Sequence, residues 1–261
     1  MPIRNPDSLS QNFLKSPTLV SQLIAASDLT SSDIVLEIGP GQGIITKQLI
    51  HRVKEVLAIE KDPVIAQKLI ESNKNVANLK IYTQDFLKFS LPHTPYKIFA
   101  NPPFSQTSKI LHKIMTSPRL PDSMYFLMQQ EAAEKFVGSP ETQSSLLCKP
   151  WYDINILGDI DRSEFTSKPQ INIVFIEFKQ RPQSFIKDED KKEYRAFITY
   201  GFSQWQPTFL DSYKKIFTYP QLKKLAKIYH LSGLKLSEVS FDTWLQVFKS
   251  YLKIATSKLS D

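Results

Sequence analysis

Three groups of residues in this chain have types and spacings suited to chemistry. The first is Gly39-Pro40-Gly41-Gln42-Gly43, which holds three of the seven glycines in the sequence. It follows the apolar, β-branched run Ile34-Val35-Leu36-Glu37-Ile38 and precedes a helical start at Ile44, Ile45, Gln48 and Leu49. A glycine turn between a strand and a helix lets a ligand approach the backbone and leaves unpaired helix N–H groups facing it. The second group is a pair of carboxylates at strand ends. Glu60 lies nineteen positions after Gly41, close to the separation at which dinucleotide-type folds place the acid that accepts ribose hydroxyls. Asp85, in Gln84-Asp85-Phe86, is placed to accept the amino group of an adenine, with Phe86 beside the ring. The glycines are spaced Gly-x-Gly-x-Gly and the turn carries no lysine or arginine. The trio therefore implies an adenosine ligand without a pyrophosphate clamp, a description that S-adenosyl-L-methionine fits better than NAD.

The third group is Asn101-Pro102-Pro103-Phe104, directly after the predicted strand Lys97 to Ala100. That is the carboxyl edge, where open α/β sheets bind substrate. A residue before proline is pushed out of the helical region, and prolines offer carbonyls but no N–H, so the loop is stiff and rich in acceptors. The exocyclic amine of adenine is a poor nucleophile because its lone pair is delocalised into the ring. The Asn101 side-chain oxygen and the Pro102 carbonyl together can hold both amine hydrogens and favour the pyramidal geometry that attacks a methyl donor. Phe104 supplies a stacking face, which any base accepts, so selection of adenine falls to the two acceptors. No general base is needed, because the amine becomes cationic on attack and then loses its proton to solvent.

The elements that position these groups form a βαβ series. Strands are expected at Ile34 to Ile38, Val56 to Ile59, Leu79 to Tyr82, Lys97 to Ala100, Ser123 to Met128, Tyr152 to Gly158 and Ile171 to Phe178, with a helix over Pro63 to Ile70 and others between strands. The pattern implies an α/β fold with a mainly parallel sheet covered on both faces. After Arg181-Pro182 only helical periodicity remains, as in Tyr194, Phe197 and Ile198, in Leu222, Leu225, Ala226 and Tyr229, and in Trp244, Leu245 and Phe248. Ser240 reads as the N-cap of the last helix and Gly233 as the residue that ends the one before it. Two domains are expected, residues 1–181 and a small helical domain over 182–261.

Composition narrows the class. With 41% hydrophobic and 23% charged residues among 261, the chain is globular rather than disordered. Cys148 is the one cysteine, so no internal disulfide forms, and His51, His93, His112 and His230 lack metal-ligand spacing. The first ten residues show no apolar signal core and no stretch is long enough for a membrane span, which implies a cytoplasmic setting. The net charge of +7 is uneven, at +1 over residues 1–180 and +6 over 181–261. A basic tail on a near-neutral body suggests a polyanionic partner such as nucleic acid.

Taken together, these residues resemble the rRNA adenine N6-methyltransferase family, and more closely its Erm branch, which modifies 23S rRNA. Ser10-Gln11-Asn12-Phe13-Leu14 is similar to the family's N-terminal motif and Glu37 to Gly43 to its glycine motif, and Glu60, Asp85 and Asn101 to Phe104 follow in order. The resemblance implies a Rossmann-like class I S-adenosylmethionine-dependent methyltransferase domain with a small C-terminal helical domain. It implies that Asn12, Leu14 and Gly39 contact the methionine half of the cofactor, with Gly41 in the turn, Glu60 on the ribose, Asp85 and Phe86 on the adenine, and Asn101 at the reacting centre. Asn101, Pro102 and Phe104 would be catalytic. Phe165, in Phe165-Thr166-Ser167-Lys168-Pro169, would sandwich the target base opposite Phe104, although Ser167 stands where the family has a proline.

Asn-Pro-Pro-Phe, the stretch Tyr213 to Thr218, and Ser240 through Tyr251 resemble Erm sequences rather than the ribosome-assembly branch, whose loop is typically Asn-Leu-Pro-Tyr. The implied partner is 23S rRNA, met as free or precursor RNA by a monomeric enzyme with no membrane association. The implied outcome is methylation in the peptidyl-transferase loop and resistance to macrolides, lincosamides and streptogramin B. A small-subunit rRNA dimethyltransferase, a non-enzymatic RNA-binding factor on the same fold, and a DNA adenine or protein glutamine methyltransferase remain the alternatives.

Overall fold

The computed structural model describes residues 12–138, 140–167 and 169–257. Ser10, Gln11 and Lys168, which the sequence reading names, lie outside the described residues. The chain divides into two compact units, one formed by residues up to Ala133 together with Asp153–Gln180, the other by Glu134–Tyr152 together with the chain from Arg181 onward. A boundary at 181 therefore misses that residues 134–152 belong to the second unit.

The first unit opens with α1 (Pro17–Ala25), capped by Ser16, and continues through β1 (Ile34–Ile38), α2 (Thr46–Leu49), β2 (Glu55–Glu60), α3 (Pro63–Ser72), β3 (Leu79–Thr83), β4 (Lys97–Ala100), α4 (Thr107–Met115) and β5 (Ser123–Gln129). It passes into α5 (Gln130–Val137), along which the division between units falls, and is completed by β6 (Tyr152–Ile160) and β7 (Ile173–Gln180). Among the described residues, seven strands form one sheet in the order β3-β2-β1-β4-β5-β7-β6. The pairings from β3 to β5 are parallel and β7 runs antiparallel to β5. Because the chain moves outward from β1 to β3 and then returns to place β4 on the other side of β1, a topological switch point lies between β1 and β4.

Strands buried on both faces read as continuous apolar runs, and β1, β4 and β5 do. Phe99, Tyr125 and Phe175 stack at centroid separations of 5.7–6.0 Å within this core. Asp62 caps α3 by accepting from the N–H groups of Val64 and Ile65, with Pro63 at the first helical position.

The second unit contains α6 (Gln143–Cys148), α7 (Lys191–Ser203), α8 (Phe209–Ser212), α9 (Tyr219–Tyr229) and α10 (Phe241–Ser257). Its core is aromatic. Phe197, Phe209, Tyr213, Trp244 and Phe248 are buried and mutually packed. The hydroxyls of Tyr194 and Tyr213 donate to the Leu146 and Phe197 carbonyls, which satisfies the polar tips that burial would otherwise penalise. Ser240 Oγ accepts from the Thr243 N–H at the start of α10. The residue that ends α9 in the left-handed conformation is His230, φ 53°, not Gly233. The Leu231 N–H returns to the Ala226 carbonyl and Leu231 is fully buried, so the cap is fixed by packing beyond it.

Candidate active site

Parallel strands bring their carboxyl ends to one edge, and here that edge collects the loops after β1, β2, β3 and β4. A single pocket there is lined by Asn12, Leu14, Gly39, Gly41, Glu60, Asp85, Phe86 and Asn101, together with Phe13, Gln42, Lys61, Pro103, Gln106 and apolar neighbours. All eight residues named from the sequence for cofactor contact thus meet in one place. Pro102 is buried behind the loop and Phe104 is half-buried against the hydrophobic core.

The glycine turn has left-handed backbone where the site needs it. Gly39, φ 69°, has nothing within 4 Å of the direction a Cβ would take, so it forms an open wall. At Gly41, φ 55°, a Cβ would come within 2.6 Å of the Phe13 ring, so only glycine lets that ring lie on the turn. The helix whose start the sequence places at Ile44 is α2, a single turn of four residues over Thr46–Leu49.

Glu60 ends β2 and is 4% exposed. Its Oε2 accepts the Gly41 N–H at 3.1 Å and its Oε1 the Asp62 N–H at 2.9 Å, so it braces the glycine turn and the start of α3 at once. Each carboxylate oxygen keeps a second lone pair for a hydroxyl donor. Asp85 Oδ1 accepts the Leu87 N–H at 2.9 Å. Phe86 is buried beneath the Lys113 ammonium, which sits 5.7 Å from the ring centroid and also donates to the Leu87 carbonyl.

Asn101 carries the most telling geometry. Its Nδ2 donates to the Asn12 carbonyl at 2.8 Å, which fixes the amide, while its Oδ1 is buried without a hydrogen-bond partner. A buried carbonyl oxygen left unpaired is costly, and a bound donor relieves that cost. The Pro103 carbonyl takes the Gln106 N–H at 2.8 Å, whereas among the described residues the Pro102 carbonyl accepts no backbone hydrogen bond. Asn101 thus lines the pocket with its side-chain oxygen unpaired, whereas Pro102 is buried and is not among the residues that line it.

Phe165 departs from its expected place. The ring is 0% exposed and belongs to the hydrophobic core, and the residue forms an antiparallel bridge with Leu14. No face of it is open to a base. With proline replaced by Ser167, the loop instead ties down the N-terminal segment. Ser167 Oγ donates to Asn12 Oδ1, the Thr166 N–H donates to the Phe13 carbonyl at 2.9 Å, and the Lys15 N–H donates to the Glu164 carbonyl at 3.0 Å.

Sequence reasoning also missed Glu37 as a group in its own right. It is 1% exposed on β1, and burial pushes its pKa up to about 8. Thr46 lies close enough to oppose this, but neither carboxylate oxygen reaches hydrogen-bond geometry with it, and the nearby charge of Glu60 raises the value further. The signal was the acid itself inside an otherwise apolar strand.

Comparison with known proteins gives this geometry its context. An rRNA adenine N-6-methyltransferase of Lysinibacillus sphaericus is 30% identical over 243 residues, covering 93% of this chain and 95% of its own. A ribosomal RNA small subunit methyltransferase A of Crocosphaera subtropica is 32% identical over 213 residues, 74% of this chain and 78% of its own. Among solved structures, the 23S rRNA methyltransferase ErmE superposes with a TM-score of 0.79 at 21% identity, covering 91% of this chain and 98% of its own. A dimethyladenosine transferase of Plasmodium falciparum superposes with a TM-score of 0.76 at 21% identity, covering 92% and 98%. At that identity the two superpositions establish the fold, a Rossmann-like methyltransferase sheet with a helical C-terminal region. Residues 4–253 match ribosomal RNA adenine dimethylase, and the chain belongs to that family, the S-adenosylmethionine-dependent enzymes that methylate N6 of adenine in rRNA.

Proposed function

We propose that this enzyme methylates N6 of an adenine in the peptidyl-transferase loop of 23S rRNA, and that the added bulk and lost hydrogen bonding there block macrolides, lincosamides and streptogramin B. The observation that carries the chemistry is the orphaned Asn101 Oδ1, an acceptor held in place by its own amide and lacking only a donor. The pocket residues fit the cofactor. Gly39 offers an open backbone wall, Glu60 accepts the ribose hydroxyls on its free lone pairs, and Asp85 Oδ2 accepts the adenine amine. When bound, S-adenosyl-L-methionine supplies a methyl group activated by its positively charged sulfur. The remaining work is done by the chain. Asn101 Oδ1 and the Pro102 carbonyl take the two hydrogens of the target amine, and Phe104 stacks on the base. A base inside a stem cannot reach this edge, so the nucleotide is extruded first. The proton released after transfer passes to solvent.

The choice of 23S rRNA rests on Phe104 and Pro102 in the loop, where the assembly branch typically carries tyrosine and leucine, and on the Erm-like tail. The deciding experiment expresses the chain in a susceptible host and maps N6-methylated adenines in both large- and small-subunit rRNA. Modification of the peptidyl-transferase loop with reduced drug susceptibility supports this reading. Modification confined to small-subunit rRNA assigns the enzyme to ribosome assembly instead.

A further inference from the structure

We propose that the outward face of α9, built on Tyr219, Lys223 and Lys227, is an RNA-binding surface that grips the substrate away from the methylated base. The inference rests on the reading of the substrate as a large rRNA, and its test separates the two. Residues 212–237 contain six lysines and no aspartate or glutamate. In α9, Leu225 is buried and Leu222, Ala226 and Tyr229 are half-buried, whereas Lys223, Lys224, Lys227 and Ile228 are exposed. At 100° per residue, Tyr219, Lys223 and Lys227 follow one another along a single row, four residues and about 6 Å of rise apart.

Two independent observations separate this face from an ordinary solvated one. The first is electrostatic. Among the described residues, Lys214, Lys215, Lys223, Lys224 and Lys227 form no ion pair with a carboxylate. Lys223 and Lys227, at i and i+4, repel each other, where a helix selected for its own stability would alternate acid with base. Among the described residues no carboxylate neutralises this row, which points to a polyanion. The second is apolar. Tyr219 is 78% exposed and has no ring partner among the described residues, and its position is fixed by the capping interaction of Thr218 with Gln221. An exposed ring beside lysines offers a base a stacking surface while the ammonium groups take phosphates. An anionic membrane would demand a broad row of large apolar residues, and this face adds only Ile228, at 52% exposed, to the tyrosine.

Around the cleft, Lys113 is engaged at Phe86 and Leu87 and Arg119 faces Asp122, whereas Lys15, Lys61 and Lys109 are exposed, so the cleft can share in holding the RNA.

The test uses the full chain and two probes, an unmodified 23S rRNA transcript and an unrelated structured RNA, in anisotropy titrations across a salt series. Losing two phosphate contacts in the double variant Lys223→Gln, Lys227→Gln should flatten the logarithmic salt slope by about 1.4–1.8 on both RNAs. Tyr219→Ala should weaken binding by about 5- to 150-fold with the slope unchanged. In methyl transfer, these variants should raise KM and leave kcat near its normal value. Trp205→Ala serves as the control. That residue is 95% exposed in the same unit, but no lysine or arginine lies between Arg195 and Lys214, so its loss should leave the slope as it was. Affinity and slope equal to those of the unaltered protein in all α9 variants, with the helical content intact by circular dichroism, would overturn the proposal. So would a loss of sedimentation on anionic vesicles with RNA binding untouched. A failed substrate assignment reads out separately, as an unaltered enzyme that transfers no methyl to 23S rRNA while the α9 variants still bind both RNAs more weakly.

Discussion

Replacing Glu37 with glutamine removes a proton-binding group from the interior while keeping its shape, and the structure fixes the direction of the effect. In the unfolded chain the carboxyl titrates at its ordinary value of 4.5, whereas in the fold burial raises it to about 8, with Glu60 adding to the rise and Thr46 opposing it. Between those limits the native state holds a proton that the unfolded state releases, so stability is greatest at the acid end and falls as pH increases. The slope reaches about 1.4 kcal/mol per pH unit, and over the whole interval the loss has a ceiling of roughly 5 kcal/mol. Glu37→Gln contributes no such slope. For a unit of this size about 1 kcal/mol moves the midpoint by roughly 2–4 °C, so the ceiling corresponds to a relative change on the order of 10–20 °C. The assay is thermal unfolding of both proteins without cofactor, at intervals from about pH 5 to about pH 8, reading the midpoint difference at each pH. The unaltered protein should lose ground steadily to Glu37→Gln as pH rises. Parallel curves would mean that Glu37 is ionised in the fold and that its burial is compensated by a donor, which would refute the reasoning.

Three further outcomes follow from the site. Asn101→Ala removes the orphaned acceptor, so single-turnover methyl transfer should fall by about 100- to 1000-fold while cofactor affinity, measured by calorimetry, changes far less. Glu60→Ala should weaken S-adenosylmethionine binding by about 1–3 kcal/mol, because the Gly41 and Asp62 N–H groups lose their acceptor along with the ribose hydroxyls; unchanged affinity would remove Glu60 from the site. Phe104→Tyr should retain turnover and Phe104→Ala should lose it, and equal rates in the two variants would show that the ring does not hold the base.

How much of this was legible in the sequence depends on whether a residue's role is local. The strands were legible because β-branched apolar runs bounded by Gly, Pro and Asp leave few other options, and Lys97–Ala100 begins and ends where its pattern does. The glycine turn, Glu60, Asp85 and Asn101 were legible because each sits at a strand end, and a parallel sheet brings those ends together. Residues 134–152 were not, since nothing in their composition says that they pack with the helices after Arg181 rather than with the sheet. A truncation at 181 would strand that segment without its partners. His230 was missed because nothing in the sequence marks it, rather than Gly233, as the point where α9 turns left-handed ahead of buried Leu231. Glu37 was visible, but the lack of a well-placed donor opposite it is a property of tertiary structure.

Phe165 shows how a residue expected to touch the substrate can instead anchor a loop in the core. Asn101 is useful only if its oxygen, rather than its nitrogen, faces the incoming amine, and the amide is turned that way by the Asn12 carbonyl. Among the described residues, Asn12 to Leu14 belong to no helix or extended strand, so the Asn12 carbonyl is held by contacts from elsewhere in the chain. The loop from Glu164 to Ser167 does this through main-chain bonds to Phe13 and Lys15 and a side-chain bond to Asn12. Phe165, buried beside Leu14, anchors that loop in the core. In a stacking role the ring would need an open face and the loop a rigid proline backbone. Here the ring is closed off and serine supplies a hydroxyl that proline could not, so in the proposed chemistry the aromatic residue would bear on Asn101 only through the segment it pins.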